Sequence, residues 1–213
     1  MLYLLPLLLI STDFDLHPSG TAAASPLSFD LGGIHGEYQP EAQRHVQFDS
    51  QTPLHSLWGK KGSKRWGYGG GIAFDLEESD NQIKNFGIEF EFFVEDNLSL
   101  DLGFHLLKVE QTGKNASGFN ATLHLRWHFI DKETWSMFIE GGVGLLRTSD
   151  DVPVDGSQFN FTPQIGGGFS FDAGNNNRWL VGVRWQHISN ANMYNANPSR
   201  DSLMFWTGLS FPY

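Results

Sequence analysis

The sequence predicts an all-β protein, an eight-stranded antiparallel transmembrane β-barrel with an N-terminal extension. Two observations carry that prediction. From Trp66 onward, large apolar residues alternate with polar or small ones in one run after another, the period of two that marks β-strands. The connections between runs alternate between short and long, as in barrels with tight turns at one rim and extended loops at the other. No run is long enough for a transmembrane helix, so a chain that crosses a bilayer must do so as a closed barrel.

The N-terminus reads separately. Residues 1–10 are an apolar run too short to span a bilayer, and Thr21, Ala22, Ala23 and Ala24 follow as small residues of the kind signal peptidase cuts. Residues 1–24 are expected to be a signal peptide and residues 25–65 an extension, on the periplasmic side or along the barrel. Residues 27–39 resemble a strand interrupted by Gly32, Gly33 and Gly36. Counting them would give an odd strand number, against the even parity of such barrels. The basic residues Lys60, Lys61, Lys64 and Arg65 read as a solvated loop in preference to a lipid-phosphate site.

The barrel is expected over residues 66–213. Its runs begin near Trp66, Phe86, Leu98, Phe119, Met137, Phe159, Trp179 and Asp201. One face of each is apolar. The other carries Glu89, Glu91, Asp101, Arg126, Glu140 and Arg184, which suit a paired network inside the barrel with the apolar face toward lipid. Trp127, Trp135, Trp179 and Trp185 read as lipid-facing or interfacial aromatics. Interior His124 and His128 belong to the polar filling rather than to a second site. Eight strands leave no open channel, which argues against a pore. The chain ends on Phe205, Leu209, Phe211 and Tyr213, similar to the aromatic-terminated signal by which the barrel assembly machinery recognises outer-membrane proteins. The expected location is the bacterial outer membrane. The net charge of -10 excludes nucleic acid as the main partner, and the absence of cysteine removes disulfides and thiolate metal sites.

The run W-L-V-G-V-R-W-Q-H-I-S-N, residues 179–190, concentrates the chemistry. His187 and Ser189 share the face of Trp179, Val181, Val183 and Trp185. Antiparallel pairing with the last run would set Asp201 beside His187. A serine hydroxyl becomes a nucleophile when a neighbouring base takes its proton, an imidazole suits that role, and a carboxylate fixes its tautomer. The side-chain amide of Asn190 is a candidate donor to the oxyanion, although its phase points inward if the strand continues. This chemistry calls for no metal and no cofactor.

H-I-S-N-A at residues 187–191, with Asp201 as the following acid, resembles the outer-membrane lipid A 3-O-deacylases of the PagL type. F-I-E-G-G-V-G at residues 138–144 and I-G-G-G-F at residues 165–169 are similar to strands of that family. The resemblance covers residues 66–213. It implies an eight-stranded barrel that removes an ester-linked acyl chain from lipid A in lipopolysaccharide, among outer-membrane lipids. It implies Ser189 as nucleophile, His187 as base, Asp201 as the acid and Asn190 as oxyanion donor. The sequence departs from the family in carrying Asp where the family has Glu, and Asn192 where it has Gly. A non-enzymatic structural or adhesive barrel acting through its long loops is the competing reading, acyl transfer on the same fold a third, and a homodimer stays open.

Overall fold

The computed structural model describes residues 58–213. The expected signal peptide and residues 25–57 of the extension lie outside the described residues. Strands β1 (Lys64–Asp75), β2 (Gln82–Glu95), β3 (Leu98–Glu110), β4 (Ala116–Asp131), β5 (Trp135–Thr148), β6 (Phe159–Phe161), β7 (Gln164–Asp172), β8 (Arg178–Ile188) and β9 (Arg200–Pro212) are all antiparallel to their neighbours. β1 pairs with β9, and β4 with β5, so the sheet closes on itself.

The nine strands make eight staves. β6 and β7 are one stave interrupted at Thr162 and Pro163, both pairing with β5 in a single register, Leu145 opposite Phe161 and Gly142 opposite Gln164. Proline has no N–H to give the ladder. Its carbonyl still accepts from His187 N at 3.0 Å, and Thr162 exchanges two backbone bonds with Gly144 at 2.9 and 3.0 Å. Closure leaves no sheet edge, which is what lets a sheet sit in hydrocarbon.

The apolar face points outward, with Phe86, Leu106, Leu125, Ile139, Ile165 and Phe205 among the exposed residues. The charged face fills the lumen. Arg126 stands at its centre, 2.9 Å from Asp101, 3.0 Å from Glu140, 3.5 Å from Glu89 and 3.6 Å from Glu91. Arg184 reaches Glu140 at 2.8 Å. The Trp206 ring lies beneath both guanidinium groups, with centroids 5.5 and 4.9 Å away. Burial of ions costs several kcal/mol each unless they are paired, so six charges from five strands hold one another in place. Trp206 has its room because residue 182 is glycine: a Cβ there would sit 2.6 Å from the indole Nε1. Gly182→Val is expected to push Trp206 off the arginines and cost about 1–3 kcal/mol, read as a lower urea midpoint for barrel unfolding in detergent.

The lumen is also closed toward both rims. At the short-turn rim, Trp58 lies under Arg65 and Arg178, 5.0 and 4.5 Å from the two guanidiniums. Toward the long-loop rim, Ile83, Leu107, Leu146, Ile188 and Met204 form an apolar layer with Val152 from the β5–β6 loop. Above it, Arg200 joins Asp75 at 3.1 Å and Gln111 at 2.8 Å. The apolar layer departs from the polar interior expected from sequence. The basic cluster also divides: Lys60 and Lys61 pair with Asp96 and Glu95 at 3.1 and 2.6 Å in solvent, but Arg65 is buried in the lumen as the second residue of β1.

Candidate active site

The site stands where β8 and β9 meet the long-loop rim. Their register sets His187 directly opposite Asp201. The imidazole Nδ1 and the carboxylate Oδ1 are 2.8 Å apart. Their side chains are 27% and 36% exposed, open on the outer wall yet partly shielded. Cross-strand partners stand about 4.5–5.5 Å apart at Cβ, so an in-register Asp carboxylate reaches the ring directly.

Trp185, two residues earlier on the same face, lies 5.9 Å from the His187 ring at an interplanar angle of 26°. The ring is thus fixed by a carboxylate on one side and an indole on the other. With Nδ1 engaged, Nε2 is the nitrogen left for a proton in transit.

Ser189 lies one residue past β8, yet the strand phase still governs it. Its N–H donates to Phe161 O at 3.2 Å and its carbonyl accepts from Phe161 N at 2.7 Å. This bridge keeps the hydroxyl on the face of His187. Among the described residues no hydrogen bond joins Ser189 Oγ to the ring. Residues two apart on a strand are about 7 Å apart at Cα, so rotation of the two side chains must close the gap.

Asn190 continues the alternation and is buried. Its amide donates inward, to Ala196 O at 2.7 Å and Ser157 Oγ at 3.2 Å, and its backbone N–H donates to Asn197 Oδ1 at 2.8 Å. The side-chain amide is therefore not directed at the wall that bears Ser189, for the reason of phase already present in the sequence. Ala191 and Asn192 follow at φ 53° and 61°, a left-handed turn that ends the strand, and Met193 N donates to Asn190 O at 3.0 Å. The role of Asn190 in this arrangement is to tie down the turn behind Ser189.

The sequence puts Ser189, His187 and Asp201 on one face but does not single out Trp185 and Phe161 as supports. Both carry a signal of the same kind: Trp185 shares the parity of His187, and Phe161 lies on the neighbouring stave. The contacts of Ser157, Ala196 and Asn197 come from loops and leave no periodic trace. Among the described residues no group of three or more His, Cys, Asp or Glu side chains is arranged to hold a metal ion.

An apolar wall around a closed, polar-filled cylinder defines a β-barrel of the bacterial outer membrane, and His187, Ser189 and Asp201 open onto that wall. Residues 86–210 match the family described as Lipid A 3-O-deacylase (PagL), and the chain belongs to that family. The crystal structure of the outer membrane enzyme PagL is similar in fold, with a TM-score of 0.58 and 20% identity over 67% of this chain and 97% of that one. The crystal structure of Neisserial surface protein A, NspA, has a TM-score of 0.55 and 14% identity over 70% of this chain and 96% of that one. Likeness at these identities is a likeness of fold. No curated protein sequence gave a match.

Proposed function

We propose that the protein is a lipid A 3-O-deacylase that works from its outer wall by a Ser-His-Asp mechanism. The observation that carries this reading is the 2.8 Å contact of His187 with Asp201, on the lipid-facing side of a barrel of this family and in phase with Ser189. A polar trio on a hydrocarbon-facing wall has a desolvation cost, and an ester at the membrane interface gives it a use.

In this mechanism Ser189 Oγ attacks the acyl carbonyl while His187 Nε2 takes the hydroxyl proton. The tetrahedral intermediate collapses, the ester C–O bond breaks, and the sugar hydroxyl leaves with the proton from His187. Water then attacks the acyl-enzyme with His187 as base, and a free fatty acid departs. Asp201 holds the ring tautomer and balances the imidazolium. Asn190 supports Ser189 by fastening the turn after it. The acyl chains of the substrate lie along the barrel wall, so the site requires no deep pocket.

Purified protein in detergent, incubated with lipopolysaccharide, should release one ester-linked fatty acid per lipid A. Mass spectrometry of both products tests this. Intact lipid A under all conditions would count against the reading, and transfer of the chain to another lipid would make the protein an acyltransferase. Asp201→Asn keeps the shape but not the charge and is expected to slow turnover by about 10²–10⁴-fold. Asp201→Glu, carrying the acid of the family, should lose much less. Unchanged turnover in Asp201→Asn would remove Asp201 from the mechanism.

A further inference from the structure

Arginine is an inward residue in this barrel, with one exception. Among the described residues, Arg65, Arg126, Arg178, Arg184 and Arg200 are buried, whereas Arg147 is exposed near the end of β5, on the same outward face as Leu145 and Val143. The other cations near the long-loop rim each have a carboxylate partner. Lys84 and Lys108 share Glu110 at 3.1 and 3.2 Å, Lys114 faces Asp150 at 3.5 Å, and Arg200 holds Asp75. Arg147 has no carboxylate within salt-bridge distance among the described residues, and its guanidinium donates to a neutral acceptor, Gln158 Oε1, at 3.2 Å. A cation left unpaired on a protein of net charge -10 is available to an external anion.

Its position relates it to the site. Arg147 is in register with Phe159, and Phe161, two residues further along that stave, is bridged to Ser189. Two strand spacings and one step of the pleat separate Arg147 from Ser189, roughly 10 Å across and 7 Å along the strand. Phe159 and Phe161, edge to face at 5.7 Å, floor the space between them. An apolar floor with a nucleophile at one end and an unpaired guanidinium at the other, nearer the rim, matches a molecule with a greasy ester and an anionic head.

We propose that Arg147 binds a phosphate on the substrate headgroup and makes the site selective for phosphorylated lipid esters. This rests on the deacylase reading and adds to it the group that recognises the head. The planar fork of arginine pairs with phosphate through two parallel hydrogen bonds. Lysine supplies only a point charge.

The test compares kcat/KM for bisphosphorylated lipid A with that for the same lipid A after enzymatic dephosphorylation, in one detergent. The native protein should favour the phosphorylated substrate by about tenfold or more, the fold-change expected from a charge-assisted hydrogen bond. Arg147→Gln should bring the ratio close to one, and Arg147→Lys should leave it intermediate. Gln158→Ala removes the same internal hydrogen bond but keeps the cation, and should preserve the preference. An unchanged ratio in Arg147→Gln overturns the proposal, as does an equal loss in Gln158→Ala, which would reduce Arg147 to a staple of the loop. If the native protein cleaves neither substrate, the deacylase reading fails. The phosphate site is then judged by binding of the two lipids to Ser189→Ala and to Ser189→Ala with Arg147→Gln: lost discrimination in the double variant supports it, and unchanged discrimination overturns it.

Discussion

Replacing Ser189 by Ala is expected to abolish release of the fatty acid while leaving the barrel folded. The hydroxyl contributes nothing to closure of the sheet: the bridge to Phe161 uses only the backbone of Ser189, which alanine retains. Turnover should fall by about 10³-fold or more, because loss of the nucleophile removes the covalent route and leaves only what binding and the remaining donors provide. Liquid chromatography of released fatty acid gives the rate, and the shift of the barrel on a gel with and without heating gives the fold. Substantial deacylation by a folded Ser189→Ala protein would assign the chemistry elsewhere.

The largest effect on stability is expected at Arg126. Its guanidinium lies within 4 Å of four buried or half-buried carboxylates, Asp101, Glu140, Glu89 and Glu91. Arg126→Met removes the cation and leaves those acids facing one another across a lumen capped by Trp58 and by the apolar layer. Removing one partner from a buried ionic cluster costs about 3–5 kcal/mol, and here one residue serves several partners. The urea midpoint of unfolding in detergent micelles should drop accordingly. Arg126→Met combined with Asp101→Asn should recover part of the loss, since Asp101 has Arg126 as its one cation partner among the described residues and the double variant would leave one fewer uncompensated charge. A midpoint close to that of the native protein for Arg126→Met alone would mean that the lumen charges are not held as a network.

Much of this was legible in the sequence, for a reason specific to barrels. Side chains alternate in and out along every strand, so parity by itself separated the wall, with Ile139 and Trp185, from the filling, with Glu140 and Arg184. The same parity put His187 and Ser189 outside and Asn190 inside. The register of β8 with β9, which sets Asp201 opposite His187, follows if the last two runs pair as a hairpin. What parity could not show is what happens where both parities are apolar. Leu106 and Leu107, or Leu145 and Leu146, look alike in a list, yet one of each pair faces outward and the other joins the apolar layer in the lumen. In sequence Arg65 looks like one more member of the preceding lysine cluster, because its charge matches theirs. Its partners, Ser210 Oγ at 2.8 Å and Asn176 O at 2.6 Å, lie far along the chain. The loop contacts around Asn190 were invisible for the same cause.

Reaction with a long-chain alkyl phosphonofluoridate, followed by peptide mapping, bears most directly on the claim that a lipid-facing serine of this barrel is a nucleophile. Such a probe enters the membrane phase and phosphonylates a serine only where a neighbouring base activates it. One adduct per protein is expected, on the peptide containing Ser189, with labelling slowed at least a hundredfold in His187→Ala. An adduct on another serine, or hydrolysis that continues in protein fully labelled elsewhere, would contradict it.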